Sequence, residues 1–184
     1  MGKTISTIFP AVKAVGEELA DRIFYLTAKT ITATVAKETF ALLEKNGYRA
    51  KTIQITAKEK LCPCDEMECN PVTCPYAKGH FDRVNDAVFD LLHRCEMIER
   101  DDILSQADRY TVCPFELCLD TASWCDNVIC DYNYVFDPNV YLKRFFQEGI
   151  KGDYIFLIDE AHNMVERSRQ MYSCLLYTSP SPRD

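Results

Sequence analysis

The chain has 184 residues, of which 47% are hydrophobic and 27% charged, enough for one globular domain with a small insert. This composition excludes a disordered or fibrous protein, and the formal net charge of -7 argues against nucleic-acid binding over the whole surface, although a local basic patch is still compatible with it. No apolar run reaches the roughly 18 residues of a membrane span, and no signal-peptide pattern opens the chain. We therefore expect a cytoplasmic protein without membrane contact.

The first residues match the end of a phosphate-binding loop. Gly2, Lys3 and Thr4 complete the motif G-x-x-x-x-G-K-[ST] except for its first glycine. They open an apolar helical pattern, which is the context that such a loop requires. The apolar face of this predicted helix consists of Ile5, Ile8, Phe9 and Val12. Because the motif begins before Met1, we expect the chain to be a fragment of a longer gene product.

Strands and helices are predicted to alternate along the rest of the chain. Apolar or alternating runs predict strands at residues 22–28, 51–56, 127–130 and 154–158. Helical spacing predicts helices at residues 30–46, 80–95, 138–146 and 163–172. In the second of these, the predicted apolar face consists of Phe81, Val84, Val88, Leu91, Leu92 and Cys95. Such alternation implies an α/β fold with a parallel sheet covered on both faces.

An acidic motif follows the last predicted strand. Asp159, Glu160 and His162 come directly after the apolar run 154–158. A carboxylate in this position suits the magnesium water shell in phosphoryl transfer, and the next carboxylate suits polarisation of an attacking water. The alternative is an acidic helix N-terminus. Together with Gly2-Lys3-Thr4, the motif favours nucleotide chemistry, with ATP and Mg²⁺ as ligands.

Ten cysteines are unusual for a chain without a secretion signal, and in a reducing compartment clustered cysteines indicate metal ligands. Cys62 and Cys69 enclose six residues, Cys69 and Cys74 enclose four, and Cys74 and Cys113 enclose 38. Four thiolates suit a [4Fe-4S] cluster or a zinc ion, and the spacing alone favours neither. Cys64 is an alternative first ligand. The cysteine-bearing residues 58–125 interrupt the strand–helix alternation and are predicted to form an insert.

In this order, the motifs resemble the first motor domain of the XPD/DinG-like superfamily 2 DNA helicases, in a bacterial form. The resemblance covers nearly all of residues 1–173. Besides Gly2-Lys3-Thr4, the matching segments are Tyr25-Leu-Thr-Ala-Lys-Thr30, Glu59-Lys-Leu-Cys62, Cys69-Asn-Pro-Val-Thr-Cys-Pro-Tyr-Ala-Lys78, Cys113-Pro-Phe, Cys130-Asp-Tyr-Asn-Tyr-Val-Phe-Asp-Pro138 and Asp159-Glu-Ala-His162.

The resemblance implies a partial RecA-like ATPase lobe with an inserted, mainly helical iron-sulfur domain. The lobe would comprise residues 1–57 and 126–173, the insert residues 58–125. The implied cluster ligands are Cys62, Cys69, Cys74 and Cys113. Gly2, Lys3 and Thr4 would bind nucleotide and magnesium. Asp159 and Glu160 would serve magnesium and water activation, and His162 would couple nucleotide state to the motor. Thr27, Lys29 and Thr30 would contact DNA.

The family unwinds DNA with 5′-to-3′ polarity, so the resemblance implies single-stranded DNA and fork junctions as partners of a monomeric parent protein, in pathways such as DNA repair. The cluster domain would help to separate the strands. Because this chain holds only one motor lobe, we expect it to have no helicase activity and little ATPase activity. Residues 174–184 resemble a translated sequencing adapter and are excluded from these expectations. A non-catalytic zinc module is the competing hypothesis.

Overall fold

A five-stranded parallel sheet organises the fold. The computed structural model describes the backbone of residues 2–177 and the side chains of residues 2–173. The strand order is β3-β2-β4-β1-β5. The strands are β1 (Arg22–Leu26), β2 (Thr52–Gln54), β3 (Met97–Ile98), β4 (Asn127–Cys130) and β5 (Tyr154–Ile158). The predicted α/β class and parallel sheet are therefore confirmed, and the architecture is consistent with a RecA-like lobe.

Helices connect the strands. They are α1 (Gly2–Gly16), α2 (Thr30–Lys45), α3 (Lys58–Leu61), α4 (His80–Arg94), α5 (Arg100–Tyr110), α6 (Pro114–Ala122), α7 (Asn133–Phe136), α8 (Lys143–Phe146) and α9 (Met164–Tyr177). A short 3-10 turn, Ala161–Asn163, precedes α9. None of the helices in the described part of the chain is long and apolar enough to cross a membrane.

The central strand β1 shows how both faces of the sheet are covered. Successive side chains of a strand point to opposite faces. Ile23 and Tyr25 pack in the cluster that contains α1 and α2 residues such as Ile8 and Phe40. Phe24 and Leu26 belong to the larger cluster on the other face, which includes residues of α4, α5 and α6. All four β1 side chains are buried because helices lie on both sides.

Phe24 is the centre of an aromatic group on the second face. Its ring is fully buried, and its centroid lies 5.2 Å from that of Phe145 and 5.4 Å from that of Tyr154. Phe146 and Phe156 lie 5.2 and 5.5 Å away. The geometries are edge-to-face, tilted and stacked, the arrangements that aromatic pairs favour. This group connects β1 to β5 and to α8.

The cysteine-bearing range 58–125 shares the core of the sheet. Its strand β3 pairs in parallel with β2, with Met97 opposite Thr52 and Ile98 opposite Ile53. Buried residues of α4 and α6, including Leu91 and Leu117, belong to the same apolar cluster as β1 and β2 residues. The helices α4, α5 and α6 therefore pack on the sheet. The loop of residues 62–79, here called the cysteine loop, precedes α4.

Two predicted apolar faces include a residue that the structure exposes. Phe9 is 55% exposed and Phe81 is 85% exposed, so their assignment to buried faces was wrong. In α4 the core position of the first turn is occupied by His80 instead. One residue turns a helix by about 100°, so burial of His80 carries Phe81 out toward solvent.

The predicted helix at residues 138–146 was also wrong at its start, because α8 begins only at Lys143. A turn occupies the preceding residues. The Asp137 carboxylate accepts a hydrogen bond from the Asn139 amide at 2.8 Å, and the Asp137 carbonyl accepts one from Tyr141 at 2.9 Å. Asp side chains stabilise turns in this way.

At the C-terminal end, α9 extends beyond the predicted limit of residue 172. Residues 178–184 of the predicted adapter segment, and Met1, lie outside the described residues.

Strand β5 is the last strand on its side of the sheet. Within the residues that the structure describes, it pairs with β1 alone, with Tyr154 opposite Arg22 and Ile158 opposite Leu26. Its five residues are all apolar or aromatic, yet none is fully buried, and Phe156 and Ile158 are exposed. This strand ends where Asp159 begins.

Candidate functional site

The carboxyl ends of three neighbouring strands meet at one edge of the sheet. Leu26 of β1 lies opposite both Cys130 of β4 and Ile158 of β5. The next residues, Thr27, Asp131 and Asp159, therefore lie side by side. Ligands of open parallel sheets bind beyond the carboxyl ends of the strands, so this edge is the candidate site.

A pocket of about 220 Å³ at this edge brings together the predicted nucleotide residues. Lys3 and Thr4 from the start of α1 line it, together with Tyr25 of β1 and Asp159 after β5. Lys3 is exposed and Thr4 is half-buried. Gly2 is the first residue of α1 and is exposed, but it does not line the pocket. The phosphate-binding and acidic motifs, 155 residues apart, thus lie at one site; their chemical roles stay predictions.

Asp159 lines this site and has one buried carboxylate oxygen. Its amide donates a hydrogen bond to the Leu26 carbonyl at 2.9 Å, which continues the β1–β5 ladder. Its Oδ2 atom is buried without a hydrogen-bond partner among residues 2–173. Buried carboxylates without partners are costly, and a hard cation such as Mg²⁺ prefers carboxylate oxygen. The donor set therefore fits a magnesium ion held beside the phosphates.

Two tyrosines that the sequence analysis did not single out lie close to Asp159. The Tyr132 hydroxyl donates a hydrogen bond to the Asp159 backbone carbonyl. Burial and the Asp159 carboxylate raise the pKa of Tyr25, whereas a hydrogen bond with the Thr4 side chain lowers it. Burial, together with the same carboxylate, raises the pKa of Tyr132. Both hydroxyls therefore stay protonated beside the carboxylate. Their place in the quoted motifs 25–30 and 130–138 was the only available signal.

Glu160 and His162 lie outside the pocket, on the solvent side. The two side chains face each other, with His162 Nε2 3.4 Å from Glu160 Oε2, and 73% of the His162 side chain is exposed. Glu160 has a φ of 51° and a ψ of 44°, in the left-handed region that non-glycine residues rarely adopt. Such a conformation costs about 1–3 kcal/mol and concentrates at functional sites. The turn directs the chain from β5 into the 3-10 turn.

The three predicted DNA-contacting residues differ in accessibility. Thr27 is buried, and its hydroxyl hydrogen-bonds with the Thr32 hydroxyl and accepts from the Lys29 amide at 3.3 Å. Lys29 and Thr30 are exposed where α2 begins. Thr27 therefore shapes the loop, and Lys29 and Thr30 are the two of the three that a ligand can reach. The DNA contact itself stays a prediction.

Five cysteines surround a second, small cavity with an apolar lining. Its volume is about 30 Å³, and it lies between the loop after α3 and the start of α6. Its thiols belong to the four predicted ligands and to Cys64, and they are Cys62, Cys64, Cys69, Cys74 and Cys113. The structure thus brings together cysteines up to 51 residues apart. As placed in residues 2–173, no three His, Cys, Asp or Glu side chains are close enough to hold a metal ion.

The cysteine loop is organised by its own backbone. The Asn70 carboxamide accepts hydrogen bonds from the amides of Val72 and Thr73 at 2.9 and 3.0 Å. The Asn70 carbonyl accepts from the Cys74 amide at 3.0 Å, and the Cys74 carbonyl accepts from Lys78 at 3.1 Å. These bonds fix the course of the chain between the second and third predicted ligands. Asx turns of this kind need no metal.

Neighbouring groups shift the pKa of two residues at the thiol-lined cavity, Cys64 and Lys58. Burial and hydrogen bonds with Cys74 and Cys62 raise the pKa of the Cys64 thiol to about 11. A hydrogen bond with Cys69 raises the pKa of Lys58, so this lysine stays a cation beside the thiols. Cys64 therefore lies within the same group of thiols, and the choice between Cys62 and Cys64 as the predicted first ligand stays open. Lys58 offsets part of the negative charge that several thiolates would carry.

Cys113 reaches the cavity from the opposite side. It is the N-cap of α6, with Pro114 in the first helical position. Burial raises the pKa of its thiol, and hydrogen bonds from the Glu116 and Phe115 amides lower it. A helix N-terminus favours an anion at this position. Its own amide donates a hydrogen bond to His80 Nδ1 at 3.2 Å, and burial lowers the pKa of that histidine.

Three other cysteines are core residues. Cys118, Cys125 and Cys130 are buried among apolar side chains. Burial raises the pKa of Cys118 and of Cys125 to about 12, and it also raises the pKa of Cys130.

The thiolate is the form that reacts with alkylating reagents. In the folded, metal-free chain at pH 8, iodoacetamide is expected to modify exposed Cys69 and to leave these three unmodified. Peptide mass spectrometry measures this, and modification of all three at the rate seen in denaturant would contradict it.

Comparisons with known proteins agree with the geometry. The family profile named DEAD_2 matches residues 31–179. The Fanconi anemia group J protein homolog of Gallus gallus is 30% identical over 73 residues, covering 40% of this chain and 6% of that protein. The general transcription and DNA repair factor IIH helicase subunit XPD/RAD3 of Saccharomyces cerevisiae is 31% identical over 108 residues, covering 59% of this chain and 13% of that protein. The alignments thus span small parts of both relatives.

Proposed function

Since the chain belongs to the DEAD_2 family of DNA helicases, we propose that it is part of the first motor lobe of an ATP-dependent enzyme that unwinds DNA in the 5′-to-3′ direction. One observation carries this proposal. Lys3, Thr4 and Asp159 line a single pocket beyond the carboxyl ends of β1 and β5. Phosphoryl transfer requires a lysine, a hydroxyl and a carboxylate in this combination.

The residues of the pocket would divide the work as follows. Lys3 would bind nucleotide phosphate oxygens, and Thr4 and Asp159 would hold Mg²⁺. The ion, when bound, supplies positive charge that neutralises the phosphates. Glu160 would orient and polarise water, and the contact between His162 and Glu160 would report the nucleotide state to the rest of the motor. The left-handed conformation of Glu160 is of the kind that concentrates at functional sites.

The thiol-lined cavity supports a [4Fe-4S] cluster as the second part of the proposal. Cys69, Cys74 and Cys113, with Cys62 as the first ligand, would hold it. Four thiolates are the usual protein ligands of such a cluster, and these four line one cavity. Lys58 lines the same cavity and stays a cation, so its charge would offset part of the negative charge of such a cluster. The cluster would brace the loop for strand separation.

The proposed DNA partners are single strands and fork junctions, in a monomeric parent protein of the cytoplasm. Exposed Lys29 and Thr30 at the start of α2 would contact the phosphate backbone. They lie at the same sheet edge as the proposed nucleotide pocket. ATP hydrolysis in the pocket would therefore be able to change how tightly these residues bind DNA. The present chain, with one motor lobe, is expected to unwind no duplex and to hydrolyse little ATP.

Binding of magnesium-ATP tests the motor assignment. Lys3→Ala is expected to weaken binding by the 184-residue chain about 10- to 100-fold, since a hydrogen bond to a charged group contributes about 1.5–3 kcal/mol. Asp159→Asn is expected to abolish the magnesium dependence of the remaining binding. Equilibrium dialysis with labelled ATP measures both.

Lys13→Ala is the matched control, because Lys13 lies in the same helix, is exposed and contacts Glu17 away from the pocket. It is expected to bind as the unmodified chain does. Equal binding by the Lys3 and Lys13 variants would contradict a phosphate role for Lys3. Absence of magnesium-ATP binding to the unmodified chain would remove the support for a nucleotide site in it.

A further inference from the structure

A buried histidine connects the two sides of the thiol-lined cavity. His80 is the first residue of α4, follows Gly79 in a left-handed conformation, and is 4% exposed. The Cys113 amide donates a hydrogen bond to its Nδ1 atom at 3.2 Å. This contact joins residues 33 positions apart. It uses the ring nitrogen as an acceptor, which requires that nitrogen to carry no proton.

The hydrogen bond joins separate ligand-bearing segments. His80 follows Cys74 by six residues, and the two are linked by bonds from Lys78 to the Cys74 carbonyl and from His80 to the Ala77 carbonyl. In the sequence, Cys113 follows α4 and α5, which separate it from the cysteine loop. The position of its thiol relative to the others therefore depends on how α6 begins. The His80 ring fixes this beginning relative to the loop that carries Cys74.

Acidic and basic side chains of α6 and α8 lie behind the ring. His80 Nε2 is 3.8 Å from Asp120 Oδ2 and has no hydrogen-bond partner in the described residues. Asp120 forms an ion pair with Arg144, whose guanidinium also donates to Glu116 at 2.5 Å. Asp120 and Glu116 belong to α6, the helix that Cys113 caps. The carboxylate faces the Nε2–H side of the ring, leaving Nδ1 for Cys113.

We propose that His80 is a positioning residue for Cys113: by accepting the Cys113 amide hydrogen, it fixes the start of α6, and with it the fourth proposed cluster ligand, relative to the loop that carries Cys74. This inference rests on the proposed cluster. His80 does not line the thiol-lined cavity. It acts through the backbone of one ligand, as residues around metal sites commonly do.

Two variants of nearly equal shape isolate the acceptor. His80→Asn places a side-chain oxygen near the position of Nδ1, whereas His80→Leu has a similar outline and no acceptor. In anaerobically prepared chains, His80→Leu is expected to lose iron to a chelator about 10- to 100-fold faster than the unmodified chain. His80→Asn is expected to remain within about threefold of it. His93→Leu, a change at the exposed end of the same helix, is expected to have no effect.

A second readout does not use the cluster. Amide hydrogen exchange of Cys113 in the metal-free protein is expected to be slow in the unmodified chain and in His80→Asn, and fast in His80→Leu. Equal iron loss and equal exchange in the Asn and Leu variants would assign His80 a packing role and overturn the inference alone. Failure of the unmodified chain to take up iron would overturn the proposed cluster together with the inference.

Discussion

Cys113→Ser and Cys69→Ser are each expected to remove nearly all iron from the chain, whereas the unmodified chain is expected to bind about four irons and four sulfides. Serine keeps the size of the side chain but lacks the soft thiolate that iron prefers. Both thiols line the same cavity, so either change would remove one of the four protein ligands that the proposed cluster needs in order to stay bound. Iron and sulfide analysis with a visible spectrum after anaerobic purification measures this outcome.

Cys95→Ser is the matched control, because Cys95 ends α4 away from the thiol-lined cavity and is half-buried. It is expected to keep the full iron content. Comparison of Cys62→Ser with Cys64→Ser then decides the first ligand: the variant that loses iron identifies it. One zinc and no iron in the unmodified chain would refute the cluster and favour the zinc module.

Phe24→Ala is expected to remove a large part of the free energy of unfolding of the chain. Truncation of a buried phenylalanine costs about 3–5 kcal/mol, and the stability of a whole domain is only about 5–15 kcal/mol. Phe24 is fully buried, and its ring packs against four aromatic rings, those of Phe145, Phe146, Tyr154 and Phe156. Its truncation therefore removes side-chain contacts that β1 makes with both β5 and α8. Chemical denaturation followed by circular dichroism measures the free energy of unfolding.

The matched comparison is Phe9→Ala. Phe9 is the same residue type but is 55% exposed on α1, so its truncation is expected to cost less than about 1 kcal/mol. Equal losses at the two positions would contradict the packing described for β1. Magnesium-ATP binding by the Phe9 variant is expected to be unchanged, since Phe9 does not line the nucleotide pocket.

Much of the sheet was predictable because its strands are strongly apolar. The strands β1, β4 and β5 lie in runs that consist mainly of apolar residues, and β4 and β5 match their predicted limits. Strand β3 was missed because two residues, Met97 and Ile98, carry no periodic pattern. Helix α5 was missed because most of its residues are polar or charged, and only Ile103, Gln106 and Ala107 are buried. Its capping box, Glu99 with Asp102, was the overlooked signal.

The candidate site was predictable in its residues but not in its supports. Motif spacing identified Lys3, Thr4 and Asp159, which line the same pocket. Nothing in the spacing shows that Tyr132 holds the Asp159 carbonyl or that His80 holds the Cys113 amide. Such contacts depend on tertiary packing between distant segments. The exposure of Phe81 has the same origin, since only the packing of α4 decides which neighbouring residue faces inward.

The open side of β5 has a consequence for the colloidal behaviour of the chain. A strand of apolar residues with free backbone donors and acceptors is a template for another strand, and natural proteins usually protect such edges with charges, proline or a cover. Phe156 and Ile158 are exposed there, and β5 itself carries no charged residue. Among residues 2–177, the strand that precedes Asp159 is therefore also a segment prone to pair with a second molecule, and we expect aggregation to rise steeply with protein concentration.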